Sequence, residues 1–421
     1  VERTLRIESL VHGGDGLARD DGRVVLVPLT VPGDLARVDV LPSEGRTGRG
    51  RLVDVLERGP ERQDPPCPLV GTCGGCQWQQ VSIEEQRVAK FAHVRDALVR
   101  IGRFTDPPMR DLVPSPRTWR YRRRLRGHLT RSGWGFSARA SHDIAGIAAC
   151  LLVEPEVERL AHAVAEALHA AGAVPNAEAF TIDVVGAETG RPRGAFSVAA
   201  RKPQALRKIL DRLIPKGIAG VTGAVLEVES GTPEVFGQPV LVDQEHRGLR
   251  VRPDLFAQAN RLGARLLGEA TAALIDPGAS VLEVFAGTGT LSLSLLERAG
   301  RLVATEGNAA ALDLLRASLR DSGRTAQLVA GPAGRVLEGY ARGGERFDQV
   351  VLDPPRTGAR EIMADVARLA RRSVVYVSCD PATFARDAGL LAAAGWRLAS
   401  ATPFDLFPHT HHVEVLAEFV R

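Results

Sequence analysis

The stretch Val281-Leu282-Glu283-Val284-Phe285-Ala286-Gly287-Thr288-Gly289-Thr290 decides the fold. An apolar run breaks into Gly-Thr-Gly before the helical pattern Leu291 to Leu296, which reads as a strand, a tight turn and a helix start. Glycine tolerates positive φ and lets a ligand approach the backbone, and a helix start offers free N–H groups. The next apolar strand, Arg301-Leu302-Val303-Ala304-Thr305, closes on Glu306, an acid that can accept both hydroxyls of a ribose. A dinucleotide fingerprint wants a third glycine where Ser292 stands, which disfavours NAD and FAD and favours S-adenosylmethionine. From about Val251 onward strands alternate with helices, as a doubly wound, Rossmann-like α/β sheet requires.

Two further strand ends carry chemistry. Phe347-Asp348-Gln349-Val350-Val351-Leu352-Asp353-Pro354-Pro355-Arg356 ends on a pair of prolines, which also stop a strand because proline cannot continue the ladder. Enzymes that methylate exocyclic amines often set an aromatic after the prolines to stack on a flipped base; here Arg356 stands instead, which argues against amino-group methylation. Tyr376-Val377-Ser378-Cys379-Asp380-Pro381-Ala382-Thr383 presents one cysteine at a strand end, with His411, His412 and Glu414 downstream.

Carbon methylation gives that cysteine a task. Carbon 5 of uracil is barely nucleophilic until a thiolate adds at carbon 6 and turns the ring into an enolate. A base must then remove the carbon 5 proton so that sulfur can leave. Cys379 fits the nucleophile and Glu414 the base. The Pro-Cys and Thr-Cys motifs usual in cytosine-5 methylation do not occur around Cys379.

These residues resemble the TRAM-containing uracil-5 RNA methyltransferases that act on ribosomal and transfer RNA, and the match spans nearly the whole chain. Its most specific parts are Ser378-Cys379-Asp380-Pro381 followed by Thr383, Arg386 and Asp387, and Phe407-Pro408-His409-Thr410-His411-His412-Val413-Glu414. The resemblance assigns the nucleophile to Cys379 and the proton-abstracting base to Glu414. The family's Phe-x-Gln-x-Asn segment is matched by Phe256-Ala257-Gln258-Ala259-Asn260. Gln258 is therefore expected at both donor and target base, Phe256 stacked on the base, and Phe285, Glu306 and Asp353 in the donor pocket with Gly287, Gly289 and Thr290. The family usually has Asp-x-Phe/Tyr-Cys-Gly-x-Gly in this loop, whereas this chain has Glu283, Ala286 and Thr290.

Cys67, Cys73 and Cys76 form a C-x5-C-x2-C set in a Pro/Gly-rich loop, and Cys150 can supply a fourth thiolate. Spacing alone fits zinc or an iron–sulfur cluster equally. The resemblance selects a structural [4Fe-4S] cluster, because Cys-x5-Cys-Gly-Gly-Cys-x-x-Gln, ending at Gln79, marks the family. An odd number of cysteines and no recognisable signal peptide argue against disulfides and for a cytoplasmic protein.

With 421 residues the chain is too long for one ordinary core, so two or three domains are expected. Residues 1–58 alternate short β-rich runs with glycine turns and read as a small OB-like barrel, a TRAM domain by the resemblance. Residues 59–250 read as an α+β domain bearing the cysteines, and 251–421 as the methyltransferase domain. A helix over 82–102 with Ser82 and Glu85 as a capping box and a core stripe of Val88, Phe91, Val94, Leu98 and Ile101 is expected to pack on the methyltransferase domain. No apolar run approaches the ~20 residues of a membrane span.

The net charge of +4 is unevenly placed. Residues 101–150 hold ten arginines against three aspartates, with Trp119, Tyr121, Trp134 and Phe136 interleaved, a pattern suited to phosphates and stacked bases. Arg122, Arg123 and Arg124, at its centre, are expected on the RNA. The expected activity is thus S-adenosylmethionine-dependent formation of 5-methyluridine by a monomer. The cysteine set and barrel favour 23S ribosomal RNA, with transfer RNA, or a noncatalytic RNA-binding or folding role, as alternatives.

Overall fold

Five short strands close into a barrel at the amino-terminal end: Glu2–Leu10, Gly16–Asp20, Arg23–Val27, Leu35–Val40 and Thr47–Glu57. Period-two alternation puts Leu5, Ile7, Val25, Val27 and Val38 inside, and closure removes the exposed edges that so small a sheet would otherwise offer. The computed structural model describes all residues except 43, 44, 175, 176, 188 and 230.

The middle of the chain builds a seven-stranded sheet in the order 234–237, 221–227, 193–200, 177–185, 124–130, 133–137, 144–146. Helices Pro155–Ala170 and Pro203–Lys216, each begun by proline at its first turn, pack their apolar faces on it. Tyr121 and Trp134, expected as stacking surfaces for RNA, are instead buried. Trp134 belongs to this core, and Tyr121 donates its hydroxyl to the carbonyl of Pro408 at 3.1 Å.

The carboxy-terminal sheet has eight strands in the order 327–330, 301–306, 280–284, 347–352, 370–378, 414–420, 397–405, 113–114. The first five are parallel and 414–420 runs antiparallel between its neighbours. The central strands are apolar runs because helices cover both faces. Strand order reverses beside 280–284, so the ends of 280–284, 301–306 and 347–352 open a crevice where such sheets bind ligands. Among the described residues no helix is long and apolar enough to cross a membrane.

The helix Ile83–Arg100 packs on this sheet's helix Pro381–Ala393 and strand Arg397–Asp405. Its cap is half of the expected box: Ser82 Oγ accepts from the Glu85 N–H at 3.2 Å, while the Ser82 hydroxyl itself donates to Glu61. Its stripe also differs from expectation. Val88 and Ile101 are 61% and 47% exposed, and the buried face is Gln86, Ala89, Lys90, Val94 and Leu98. The Val94 and Leu98 end of the face joins the sheet's apolar core, while Gln86 and Lys90 sit inward because their end covers the otherwise unpaired backbone at 407–409.

Candidate active site

The glycine turn is built as its sequence suggests. Phe285 adopts φ 65°, rare for a bulky side chain, and Gly287 and Gly289 follow at φ 57° and 103°. Gly289 needs glycine for its conformation, and a Cβ there would also lie 2.5 Å from a terminal methyl of buried Leu315, which would have to shift. Glu306 takes the N–H of Gly287 at 2.9 Å and that of Asn308 at 2.7 Å, which orients both carboxylate oxygens and leaves lone pairs open. The Thr288 hydroxyl is buried without a hydrogen-bond partner. Glu283 is fully enclosed and receives the Ser292 hydroxyl at 2.5 Å; burial, with the charge of Asp353 adding to it, pushes its carboxyl up to about 8. The serine where a third glycine would stand thus serves the longer acid at 283. Gln258 and Thr290 meet across a small pocket beside this turn.

Cys379 follows strand Ala370–Ser378, and Glu414 begins the neighbouring strand Glu414–Val420. Asp380 caps helix Pro381–Ala393 by accepting the Thr383 N–H at 2.8 Å. The other motif residues hold the turn after Asp353. Thr383 donates its hydroxyl to the Arg356 carbonyl at 3.0 Å, Arg386 donates to the Thr357 carbonyl at 3.0 Å, and Asp387 accepts the Ala359 N–H at 2.6 Å. The turns carrying Asp353, Arg356 and Cys379 are therefore locked to one another.

Ser378 pairs with Val415 across the antiparallel strands, so Cys379 and Glu414 lie next to each other at the same end of that pair. Burial first, then the charges of Glu414 and Asp353, push the Cys379 thiol up to about 11, against which Arg356 acts. Burial and Asp353 push Glu414 up to about 8, and burial pushes Asp353 up to about 7. Glu414 is 3% exposed and its Oε2 has no hydrogen-bond partner. Burial holds His411 down at about 4 and His412 at about 3, so both imidazoles are neutral at neutral pH and are weak proton acceptors beside Glu414.

The loop leading to Glu414 is held from the far end of the sequence, which sequence reading missed. Gln86 accepts the His409 N–H at 2.7 Å, and His409 sits at φ 65° with its ring 3.6 Å from that of Trp119. The N–H groups of Gln77 and Trp78 both donate to the His409 carbonyl at 3.1 Å. Lys90, fully buried, donates to Asp405 at 2.5 Å and to the Phe407 carbonyl at 2.9 Å. The available signal was Gln86 and Lys90 four residues apart on one helix face with Val94.

Cys67, Cys73, Cys76 and Cys150 line one cavity of about 760 Å³ between the barrel and the seven-stranded sheet, and Arg122 lines it with them. Burial first raises the Cys73 thiol, and that of Cys76 to about 12, with the charges of Cys150 and Cys67 adding at Cys73 and those of Cys150 and Cys73 at Cys76. Among the described residues no three His, Cys, Asp or Glu side chains form a group able to hold a metal ion. The other two arginines of the triplet are not on a surface for RNA. Arg123 is 2% exposed and pairs with Asp243 at 2.6 Å; Arg124 pairs with Asp183 at 3.0 Å. They alternate along a strand start whose inner neighbours are carboxylates, so their charge is spent inside the protein. Phe256 is 75% exposed.

The sheet order, the glycine turn and an acid closing the second strand define a methyltransferase of the Rossmann-like class. A family profile described as tRNA (Uracil-5-)-methyltransferase matches residues 334–418. A 23S rRNA (uracil(1939)-C(5))-methyltransferase, RlmD, of Alkalilimnicola ehrlichii is 33% identical over 99% of this chain and 96% of its own. An uncharacterized RNA methyltransferase of Gloeobacter violaceus is 30% identical over the same shares, 99% and 96%. The solved structure of a Pyrococcus abyssi tRNA (uracil-54, C5)-methyltransferase with S-adenosyl-L-homocysteine has the same fold, with a TM-score of 0.75 over 99% of both chains at 21% identity. The chain belongs to the RNA uracil-5 methyltransferase family.

Proposed function

We propose that the protein methylates carbon 5 of a uridine in RNA, with S-adenosylmethionine as donor and Cys379 as covalent nucleophile. What supports this is the strand register that sets Cys379 beside Glu414, a buried carboxyl with a partnerless oxygen. The donor loop suits S-adenosylmethionine. Glu306 would take the ribose hydroxyls, and the turn 287–290 with its buried, unpaired Thr288 hydroxyl would cradle the rest. Gln258, which lines a small pocket with Thr290, and Asp353, whose charge acts on Glu283, would contribute to the same site, as would Phe285 by the family resemblance.

The residues then divide the work. Cys379 gives up its proton to Asp353, the second carboxylate acting on it, so that Glu414 stays free, and adds through sulfur to carbon 6, while the C5–C6 electron pair moves into an enolate. Carbon 5 takes the sulfonium methyl; the S–CH3 bond breaks and its electrons stay on the departing S-adenosylhomocysteine. Glu414, poised near 8, then takes the carbon 5 proton, and the released pair restores the double bond and expels the Cys379 sulfur. The base must leave its stack to be reached on its faces, and exposed Phe256 would stack on it.

Ribosomal RNA of the large subunit is the favoured substrate, because the relative of higher identity covering almost the whole chain is named for 23S rRNA. The name of the matching family profile supports transfer RNA as the second reading. We also infer three domains, 1–58 of TRAM type, 59–250 and 251–421, and a structural [4Fe-4S] cluster held by Cys67, Cys73, Cys76 and Cys150. What supports the cluster is that the four thiols line one cavity; as placed, no three of them are close enough to hold an ion, so binding would have to draw the loop 67–76 together. Such a cluster would cross-link the loop 67–76, which runs directly into Gln77 and Trp78 on the His409 carbonyl.

The test is nucleoside mass spectrometry on unmodified ribosomal and transfer RNAs, incubated separately with anaerobically purified protein and methyl-labelled S-adenosylmethionine. Labelled 5-methyluridine in ribosomal RNA is expected. Label in transfer RNA alone would select the second reading, and RNA binding without any labelled nucleoside would overturn the proposal.

A further inference from the structure

The segment from 252 to 260 joins strand Leu249–Val251 to helix Arg261–Ala273 and has no helix or strand of its own. Such a segment normally satisfies its carbonyls with water and moves. Here they are taken from behind. Arg124 donates to the carbonyls of Pro253 and of Leu255, the latter at 2.6 Å, and is neutralised by Asp183 at 3.0 Å. Arg123 donates from Nε to the Gln258 carbonyl at 3.2 Å and from its backbone N–H to the Ala259 carbonyl at 2.9 Å, and is neutralised by Asp243. Asn260 closes the segment by donating to Ser115 and to the Leu406 carbonyl while accepting the Gly263 N–H. Leu255 and Ala257 are buried, and between them Phe256 points out at 75% exposure. A single exposed apolar residue is ordinary on a protein surface. One held on a coil whose carbonyls on both sides are pinned by charge-balanced arginines, Arg123 buried and Arg124 largely so, is not.

We infer that Arg123 and Arg124 are positioning residues that fix the segment 253–259 before RNA arrives, so that Phe256 and Gln258 are presented to the target uridine without further ordering. The inference rests on the reading of Phe256 as the residue stacked on the base. Ordering the segment in advance spares the complex that ordering when the base is extruded. It also explains the use of arginine at 124. The planar fork reaches two carbonyls and a carboxylate together, which the single ammonium of lysine does not.

The test is a double-mutant cycle on the rate of single-turnover methylation, with Arg124→Lys, Phe256→Leu and both together, alongside the salt dependence of RNA binding. Arg124→Lys is expected to slow the step about tenfold, as small misplacements of a reacting group do, with RNA affinity and its salt slope unchanged. On top of Phe256→Leu it is expected to add less than about twofold, since coupled residues are not additive. Multiplying losses would overturn the inference. So would a fall of ~0.7–0.9 in the salt slope, the mark of a lost phosphate contact. An unchanged rate in Phe256→Leu would remove the stacking reading, and the inference with it. Should Arg124→Lys fail to fold, Asp183→Asn replaces it in the same cycle with the same outcomes.

Discussion

Replacing Glu414 by glutamine removes the proposed base and, at the same time, a badly placed charge. The native carboxyl is raised from 4.5 to about 8 by burial and by Asp353. An acid whose folded pKa exceeds its unfolded one stabilises the fold below the unfolded value, and that contribution is lost as pH rises through the folded value. At ~1.4 kcal/mol per pH unit the loss is under about 1 kcal/mol at pH 5 and on the order of 4 kcal/mol at pH 8.5. Glutamine keeps the shape and has no charge to lose. Its amide adds donors to a buried pocket, an offset that is the same at both pH values. Glu414→Gln should therefore melt several degrees higher than the wild type at pH 8.5, relative to its position at pH 5. Differential scanning fluorimetry at the two pH values reads this directly, and turnover of methyl groups should be lost at both. If the difference in melting temperature is the same at pH 5 and pH 8.5, Glu414 is not held at a raised pKa and the electrostatic account of the base is wrong.

Three further outcomes follow from the same geometry. The profile of kcat/KM against pH should show an acid limb between about 7 and 8, set by Asp353 and Glu414 together, because below it Glu414 already carries a proton and cannot accept another; a limb near ordinary carboxylate values would contradict this. Lys90→Met leaves Asp405 buried without its cation and should destabilise the protein by ~3–5 kcal/mol; an unchanged thermal melt at neutral pH would show that the pair does not hold the catalytic loop. Gly289→Ala combines a 2.5 Å approach to Leu315 with φ 103° and should weaken S-adenosylmethionine binding at least about tenfold by calorimetry; equal affinity would move the donor away from this turn.

What could be read from the chain was local. The strand, glycine turn and helix at 281–296, the closing acid Glu306 and the cap at Asp380 depend on residues within a few positions of one another, and they form as their sequence suggests. Charge runs were less informative. Arg122, Arg123 and Arg124 are adjacent in sequence, yet Arg122 lines the cysteine cavity while the other two pair with Asp243 and Asp183, acids far along the chain that no local pattern reveals. The stripe assigned to helix 83–100 failed for the same reason. Apolar periodicity placed Val88 and Ile101 inside, but only Val94 and Leu98 of that stripe are fully buried in the sheet's core, and the first half of the face covers the loop 407–409, whose carbonyl and N–H groups call for Gln86 and Lys90. Polar residues on a buried face mark a backbone needing partners, and which backbone becomes visible only in three dimensions.

The central claim is that Cys379 attacks uracil covalently, and RNA carrying 5-fluorouridine at the target tests it most directly. Fluorine at carbon 5 cannot be removed as a proton, so the methylated adduct cannot eliminate the enzyme. The wild-type protein with S-adenosylmethionine should form a complex with this RNA that survives denaturing electrophoresis, and Cys379→Ala should form none. Equal trapping by both proteins, or by neither while 5-methyluridine still accumulates on ordinary RNA, would contradict the account.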